Sequence, residues 1–244
     1  MSSLPQLTDA VSAEALAFAD LLESLDASAR GAPTPCADWT VDDLSAHVAA
    51  GAFRDAESFH RARIGSSSPP AELTLSGEAA AAIRLSIDHL RAALDHPPER
   101  WPVIPMAFGP YPAKAALQCL VIEFGTHRND LEVAVGCQSA PFSPATLDAL
   151  LGFGEHYLLL QAAPLETAPV TFTLDAPSTT MSIAWDGRRW AAGAGDGAPH
   201  CVVSGSDDAL ARLMLRRLDI SDPQLNLDDP AHLAPVFATA IRPL

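Results

Sequence analysis

The sequence predicts a helical N-terminal part followed by a smaller α+β module, an α plus α+β fold with the change near residue 165. Three observations carry this. In the N-terminal part apolar residues recur at intervals of three and four, the helical period. Beyond "QAAPLETAP" they alternate, as strands do. At 244 residues and 48% hydrophobic the chain can bury a sizeable core without covalent staples.

Each element has its own signal. Residues 7 to 25 place Val11, Leu21, Leu22 and Leu25 at roughly helical intervals. "PTPCADWTVDDLSAHVAAGAF" gives a Pro-rich approach, then Thr40 with Asp43 three later, a capping box with Asp in place of the usual Glu. A helix should begin near Val41. "GSSSPP" at 65 to 70 reads as a loop. Ser76 is the expected N-cap of the next helix, whose Ile83, Ile87, Leu90 and Leu94 are spaced by four, three and four. From Asp95, "DHPPERWPVIPMAFGPYPA" holds six prolines and reads as a functional loop rather than a simple turn. Pro112 starts a helix ending near Gly136, and Ser143-Pro144 open another through Leu147, Leu150, Leu151, Tyr157 and Leu158.

In the C-terminal module "VTFTLD" and "MSIAWDGRRWAA" alternate, with a turn at Trp185-Asp186-Gly187. "HCVVSG" is a short strand, "SDDALARLMLRRL" a capped helix, and Asp229-Pro230 start a last helix. The expected domains are 1-165 and 166-244. "AAGAGDGAP" at 191 to 199 lacks the G-x-G-x-x-G link between strand and helix, so it is read as a loop.

Thirty acidic against fifteen basic residues give a net charge of −15, which argues against nucleic acid, whose binding needs a dense basic surface. No basic-then-apolar leader and no run of about 18 apolar residues occurs, so neither export nor a membrane is expected and the protein is read as cytoplasmic. Cys36, Cys119, Cys137 and Cys201 lie far apart with no C-x-x-C spacing, which predicts reduced thiols, Cys119 buried among them. Lys114 is the only lysine beside many arginines and alanines, a mark of GC-rich coding.

The stretch "VIEFGTHRND" carries the chemistry. Glu123 and His127 are one helical turn apart and project from the same face. At roughly 100° per residue, Leu117, Phe124, Leu131 and Val135 form the apolar stripe, with Cys119, Glu123, His127 and Asp130 along its border. A carboxylate turned inward needs a partner, which His127, Arg128 or a metal can supply. His47, two turns into the capped helix beside Leu44 and Val48, is expected on a packing face and would complete a three-ligand site with open positions. On spacing alone, E-x-x-x-H in a helix is more often a structural pair. Trp39 reads as packing, Asp43 as a cap, Arg128 as a structural ion pair, and Asp130 as either an outer contact or an orienting group.

"TPCADWTVDDLSAHV" followed about 75 residues on by "EFGTHRNDLEVAVG" resembles the mycothiol-dependent maleylpyruvate isomerase family. The likeness rests on Thr34-Pro35-Cys36, Trp39-Thr40-Val41, Asp43-Leu44 and His47, then Glu123, His127, Arg128, Asp130-Leu131 and Gly136. It implies a DinB-like four-helix metal-binding bundle and a small C-terminal domain similar to sterol carrier proteins. It also implies that His47, Glu123 and His127 bind a divalent metal, commonly zinc. The family's Leu-Trp-Gly-Arg-like stretch is replaced here by "LMLRRLD", where Arg216 and Arg217 stand as equivalents.

The implied chemistry is that of an activated sulfur nucleophile. A divalent cation lowers a thiol pKa of about 8.5 so that the thiolate persists at neutral pH. The thiolate of mycothiol, as cofactor, would add to the cis double bond of maleylpyruvate, allow rotation and leave, giving fumarylpyruvate. If sulfur stays, the same site is an S-transferase. Arg54, about two turns after His47, and the Arg216–Arg217 pair are the expected grips for substrate carboxylates. The expected partners are a small-molecule thiol and an electrophilic substrate. Two other readings are a non-catalytic metal- or ligand-binding regulator on the same bundle and a metal-free lipid carrier.

Overall fold

The structure is a computed structural model that describes residues 3–66, 68, 70, 78–107, 109–137 and 140–242. It divides into two compact units, residues 1–146 and 147–244.

In the first unit α1 (Leu4–Ser24) opens on a Ser3–Gln6 capping box and buries Leu7, Val11, Ala15, Phe18 and Leu22, one stripe at helical spacing. A single turn, α2 (Ala27–Arg30), follows behind the Asp26 cap. Helix α3 (Val41–Arg63) begins at the expected box: the Thr40 hydroxyl accepts from Asp43 N at 3.2 Å and Asp43 Oδ2 accepts from Thr40 N at 2.9 Å. Helix α4 (Ala79–Asp95) buries Ile83, Ile87 and Leu90. Ser76 lies outside the described residues, and Glu78 occupies the N-cap without a side-chain bond.

The proline-rich stretch holds an unexpected hairpin, β1 (Ile104–Met106) against β2 (Gly109–Tyr111), antiparallel with Pro105 opposite Pro110. Prolines concealed it in the sequence because they cannot donate to a ladder, yet an isolated two-stranded ribbon has outer edges where no donor is needed. Helix α5 (Ala113–Ala134) starts after Pro112 and ends in a Schellman turn at Gly136, φ 74°. Helices α3 and α4, α4 and α1, α1 and α5, and α5 and α3 are neighbours, which closes a four-helix ring. Among the described residues no helix is long and apolar enough to cross a membrane.

Helix α6 (Pro144–Gly152) stops at Phe153, and α7 (Gly154–Gln161) resumes, where the sequence predicts one continuous helix. Just past the break Gly154 packs closely, since a Cβ there would overlap the Met181 sulfur. In the second unit β3 (Val170–Asp175), β4 (Thr180–Trp185), β5 (Trp190–Ala192), β6 (His200–Ser204) and β7 (Asn226–Asp228) form one sheet in the order β5-β4-β3-β6-β7. Only the β3–β6 pair is parallel. Strand β7 escaped prediction because it is a fully exposed three-residue edge, with no buried face to impose alternation. The β4–β5 turn forms at Asp186, whose Oδ1 accepts from Arg188 N and Arg189 N at 2.8 and 2.9 Å. Helix α8 (Asp207–Met214), capped by Ser206, ends before the two arginines that the sequence reading includes in it. Helix α9 (Ala234–Ala240) begins later than Pro230, with the Asp229 carboxylate accepting from Leu233 N and Ala234 N. Phe172, Leu174, Ile183, Cys201, Val203, Leu213 and Phe237 are buried in this unit.

One glycine of the EFGTHRND stretch has a packing reason. A Cβ on Gly125 would overlap the Thr146 hydroxyl and methyl, and that hydroxyl donates to the buried Glu14 carboxylate at 2.9 Å. Gly125→Ala is expected to lower stability by about 1–3 kcal/mol through overpacking. A urea midpoint equal to that of the parent would show that α5 and Thr146 can part freely.

Candidate metal centre

Two helices and one turn bring the site together. Capping fixes the start of α3 and so places His47, while α5 presents Glu123, His127 and Asp130 at successive turns of one face. His47 Nε2 lies 2.9 Å and His127 Nε2 3.4 Å from the same Glu123 Oε1. One ligand atom from each of the three lies within 4.8 Å of the others. The structure therefore brings together the three residues that the sequence picked from two helices. His47 departs from its expected packing face: its side chain is 40% exposed, against 24% for Glu123 and 9% for His127. The site is graded from buried to open.

Behind His127 lies a second group. Its Nδ1 is 3.1 Å from Asp130 Oδ2, and the Cys36 thiol donates to that same oxygen at 3.3 Å. An ionised carboxylate only accepts, so Nδ1 carries the hydrogen. Nε2 is thereby the nitrogen turned towards the Glu123 carboxylate, where either a proton or a bound cation can sit between the two.

Electrostatics agree. Burial pushes the Glu123 carboxyl up, yet His127's charge and hydrogen bonds from both imidazoles outweigh it and hold the group well below the usual carboxylate range. Burial disfavours the His127 cation, but Glu123, the Asp130 and Cys36 hydrogen bonds and the Glu123 bond raise its pKa well above that of a free imidazole. Two imidazole nitrogens and one carboxylate oxygen fit a borderline-soft divalent ion such as zinc, with positions left open on the exposed His47 side.

The Trp39 ring packs 4.8 Å from the His47 ring and 6.5 Å from that of His127, a contact beyond the helix packing expected of it. Arg54 is half-buried, and its Nε and Nη2 donate to the two oxygens of buried Asp55 at 2.9 and 3.1 Å. Arg128 forms the expected structural pair, with Glu14 at 2.7 Å and Glu132 at 2.6 Å. Cys119 is half-buried rather than buried. Burial, with the charges of Asp55 and Glu123, pushes its thiol up to about 12, so it is a poor nucleophile at neutral pH.

The two C-terminal arginines belong to the second unit. Arg216 sits just past α8 in the left-handed region, φ 57°, with Nε and Nη1 buried and without a hydrogen-bond partner among the described residues. Arg217 Nη1 donates to Leu215 O at 3.2 Å. Sequence reasoning left Cys36 without a role, and nothing local signals one, since its partner is 94 positions away.

Residues 11–132 match the family described as Mycothiol maleylpyruvate isomerase N-terminal domain. An uncharacterized protein found in two strains of Mycobacterium tuberculosis is 31% identical over 131 residues, which span 52% of this chain and 66% of that protein. Crystal structures of the mycothiol-dependent maleylpyruvate isomerase and of a point mutant of it align over 93% of both chains at a TM-score of 0.66 with 18% identity, a likeness of fold.

Proposed function

The chain belongs, through residues 11–132, to the mycothiol maleylpyruvate isomerase N-terminal domain family, and from that premise we propose a thiol-dependent metalloenzyme with its centre at His47, Glu123 and His127. One observation carries the reading: two imidazole nitrogens converge on a single carboxylate oxygen, with His127 Nδ1 committed to Asp130. A divalent cation held there supplies a lowered pKa to a low-molecular-weight thiol such as mycothiol, keeping it as thiolate at neutral pH. The nucleophile comes from outside the chain, in keeping with the raised pKa of Cys119.

The chain's own residues orient and exclude. Trp39 covers one side of both imidazoles and keeps water from that face. Arg54, braced by Asp55, keeps the remaining N–H groups of its fork for an anionic substrate. Arg216 and Arg217 are assigned to a substrate carboxylate from their place in "LMLRRLD", where the resemblance puts the family's arginine. The two modules, about 1-165 and 166-244, are proposed as metal-binding and substrate-binding parts.

Reversible addition to a maleylpyruvate-like cis alkene gives isomerisation, and retained sulfur gives S-transfer. The departure at "LMLRRLD" keeps the second open as a substrate question. Titrating free thiol before and after turnover with maleylpyruvate and other electrophiles decides between them. Thiol recovered unchanged marks an isomerase, and stoichiometric loss into a conjugate marks a transferase. Metal binding with no acceleration of either reaction marks a non-catalytic binding protein.

A further inference from the structure

Asp130 and Cys36 have no part in the proposed ligand set, yet both are buried at its back. Their side chains come from distant segments. Asp130, 1% exposed, lies one turn beyond His127 on α5, and Cys36, 5% exposed, comes from the turn before α3. That turn is shaped for the purpose: the Thr34 hydroxyl accepts from Cys36 N at 3.2 Å, Trp39 N donates to Cys36 O at 3.1 Å, and Asp38 adopts φ 64°. The same short segment therefore sets the Cys36 thiol on Asp130 and the Trp39 ring on His47.

We infer that Asp130, itself held by the Cys36 thiol, is a positioning residue that keeps hydrogen on His127 Nδ1 and so presents Nε2 to the divalent cation. This rests on the metal reading above. Three distances define the relay: Sγ to Oδ2 3.3 Å, Oδ2 to Nδ1 3.1 Å, and Nε2 to Glu123 Oε1 3.4 Å. A carboxylate behind a ligating imidazole fixes both its tautomer and its ring angle and raises its basicity. The thiol also lies 4.0 Å from His127 Nδ1, and its shorter contact, 3.3 Å, is the one it donates to Asp130. By donating to the same oxygen it holds that oxygen in line with Nδ1, where a freely rotating carboxylate could swing away. Cysteine fits because its long C–S bond spans the gap to Asp130 while its weakly polar body tolerates burial.

The test is a zinc competition titration of the metal-free full chain against a chromophoric chelator, with the variants Asp130→Ala, Asp130→Asn, Cys36→Ala and Cys36→Ala/Asp130→Ala. The parent should bind one zinc ion per chain. Both Asp130 variants should lose roughly 10–100-fold in affinity. Asp130→Asn keeps the side-chain shape, so its loss separates orientation from packing, and the amide can also donate to Nδ1 and turn the wrong tautomer outward. Cys36→Ala should lose a smaller factor, and most of that factor should vanish when Asp130 is already alanine, because the thiol's shorter contact is with the carboxylate rather than with the ring. Thermal midpoints of the metal-free chains report any purely structural effect. A lowered midpoint with unchanged zinc affinity overturns the inference, as does a Cys36→Ala loss that persists in full beside Asp130→Ala. If the parent itself binds no zinc, the metal reading fails and takes this one with it, an outcome distinct from a parent that binds and variants that do not differ.

Discussion

His127→Ala is expected to abolish stoichiometric divalent-metal binding and to lower thiol-dependent turnover by about a thousandfold. The replacement leaves two ligands, His47 and Glu123, where catalytic zinc sites hold three. Without the cation a thiol of pKa about 8.5 is only a few per cent thiolate at neutral pH. Lost charge stabilisation adds to this, and several kcal/mol in the barrier correspond to a thousandfold or more in rate. The structural cost falls elsewhere. His127 is buried, and its loss removes a donor from buried Asp130, a penalty of about 1–3 kcal/mol. His47→Ala supplies the control: its side chain is 40% exposed, so stability should shift little while metal binding is lost equally. Elemental analysis of both variants, purified without chelator and checked for helicity, reads the result. Full zinc occupancy in both would reject the centre.

The legible parts of the molecule are those written by local rules. The Thr40–Asp43 capping box sets the phase of α3, and that phase carries His47. The i, i+4 step of Glu123 and His127 is geometry internal to one helix, so it survives any change in packing. The turn at Asp186 likewise needs only its own side chain. What escaped the sequence depends on distant partners. Gly125 carries no signal of its own, and its need for the missing Cβ shows only once Thr146 is placed against it. That residue 154 must be glycine shows only once Met181 is set against it. Cys36 reads only as a reduced thiol until Asp130 is set beside it. The exposed side of His47 was misjudged for a related reason: apolar neighbours at i−3 and i+1 indicate a packing face, but both of them are buried while His47 itself is exposed.

Arg216→Gly is expected to make the protein more stable and less active. Helices α3, α5 and α8 all end in the same motif, in which the residue after the C-cap is left-handed and its successor bonds back across the last turn. Gly65 and Gly136 fill that position after α3 and α5, with φ 80° and 74°. After α8 it is Arg216, with Arg216 N bonded to Leu213 O at 3.0 Å and Arg217 N to Arg212 O at 2.8 Å. An L side chain there costs about 1–2 kcal/mol, and glycine gives back roughly 0.4–1 kcal/mol of that through its freer unfolded chain. Removing two buried donors that find no acceptor favours the variant further. A net gain of about 1 kcal/mol, or roughly 2–4 °C in Tm, is the expected sum. Strain of this kind is retained where a side chain has a task that the backbone would rather refuse. If the task is to grip a substrate carboxylate, losing a charge-assisted bond of about 1.5–3 kcal/mol lowers kcat/KM roughly 10–100-fold. Zinc affinity should stay at the parent value, since all three proposed ligands lie in the first unit. A variant that gains stability and keeps full kcat/KM would remove Arg216 from the substrate site, and one that loses stability would show that the guanidinium holds the turn together.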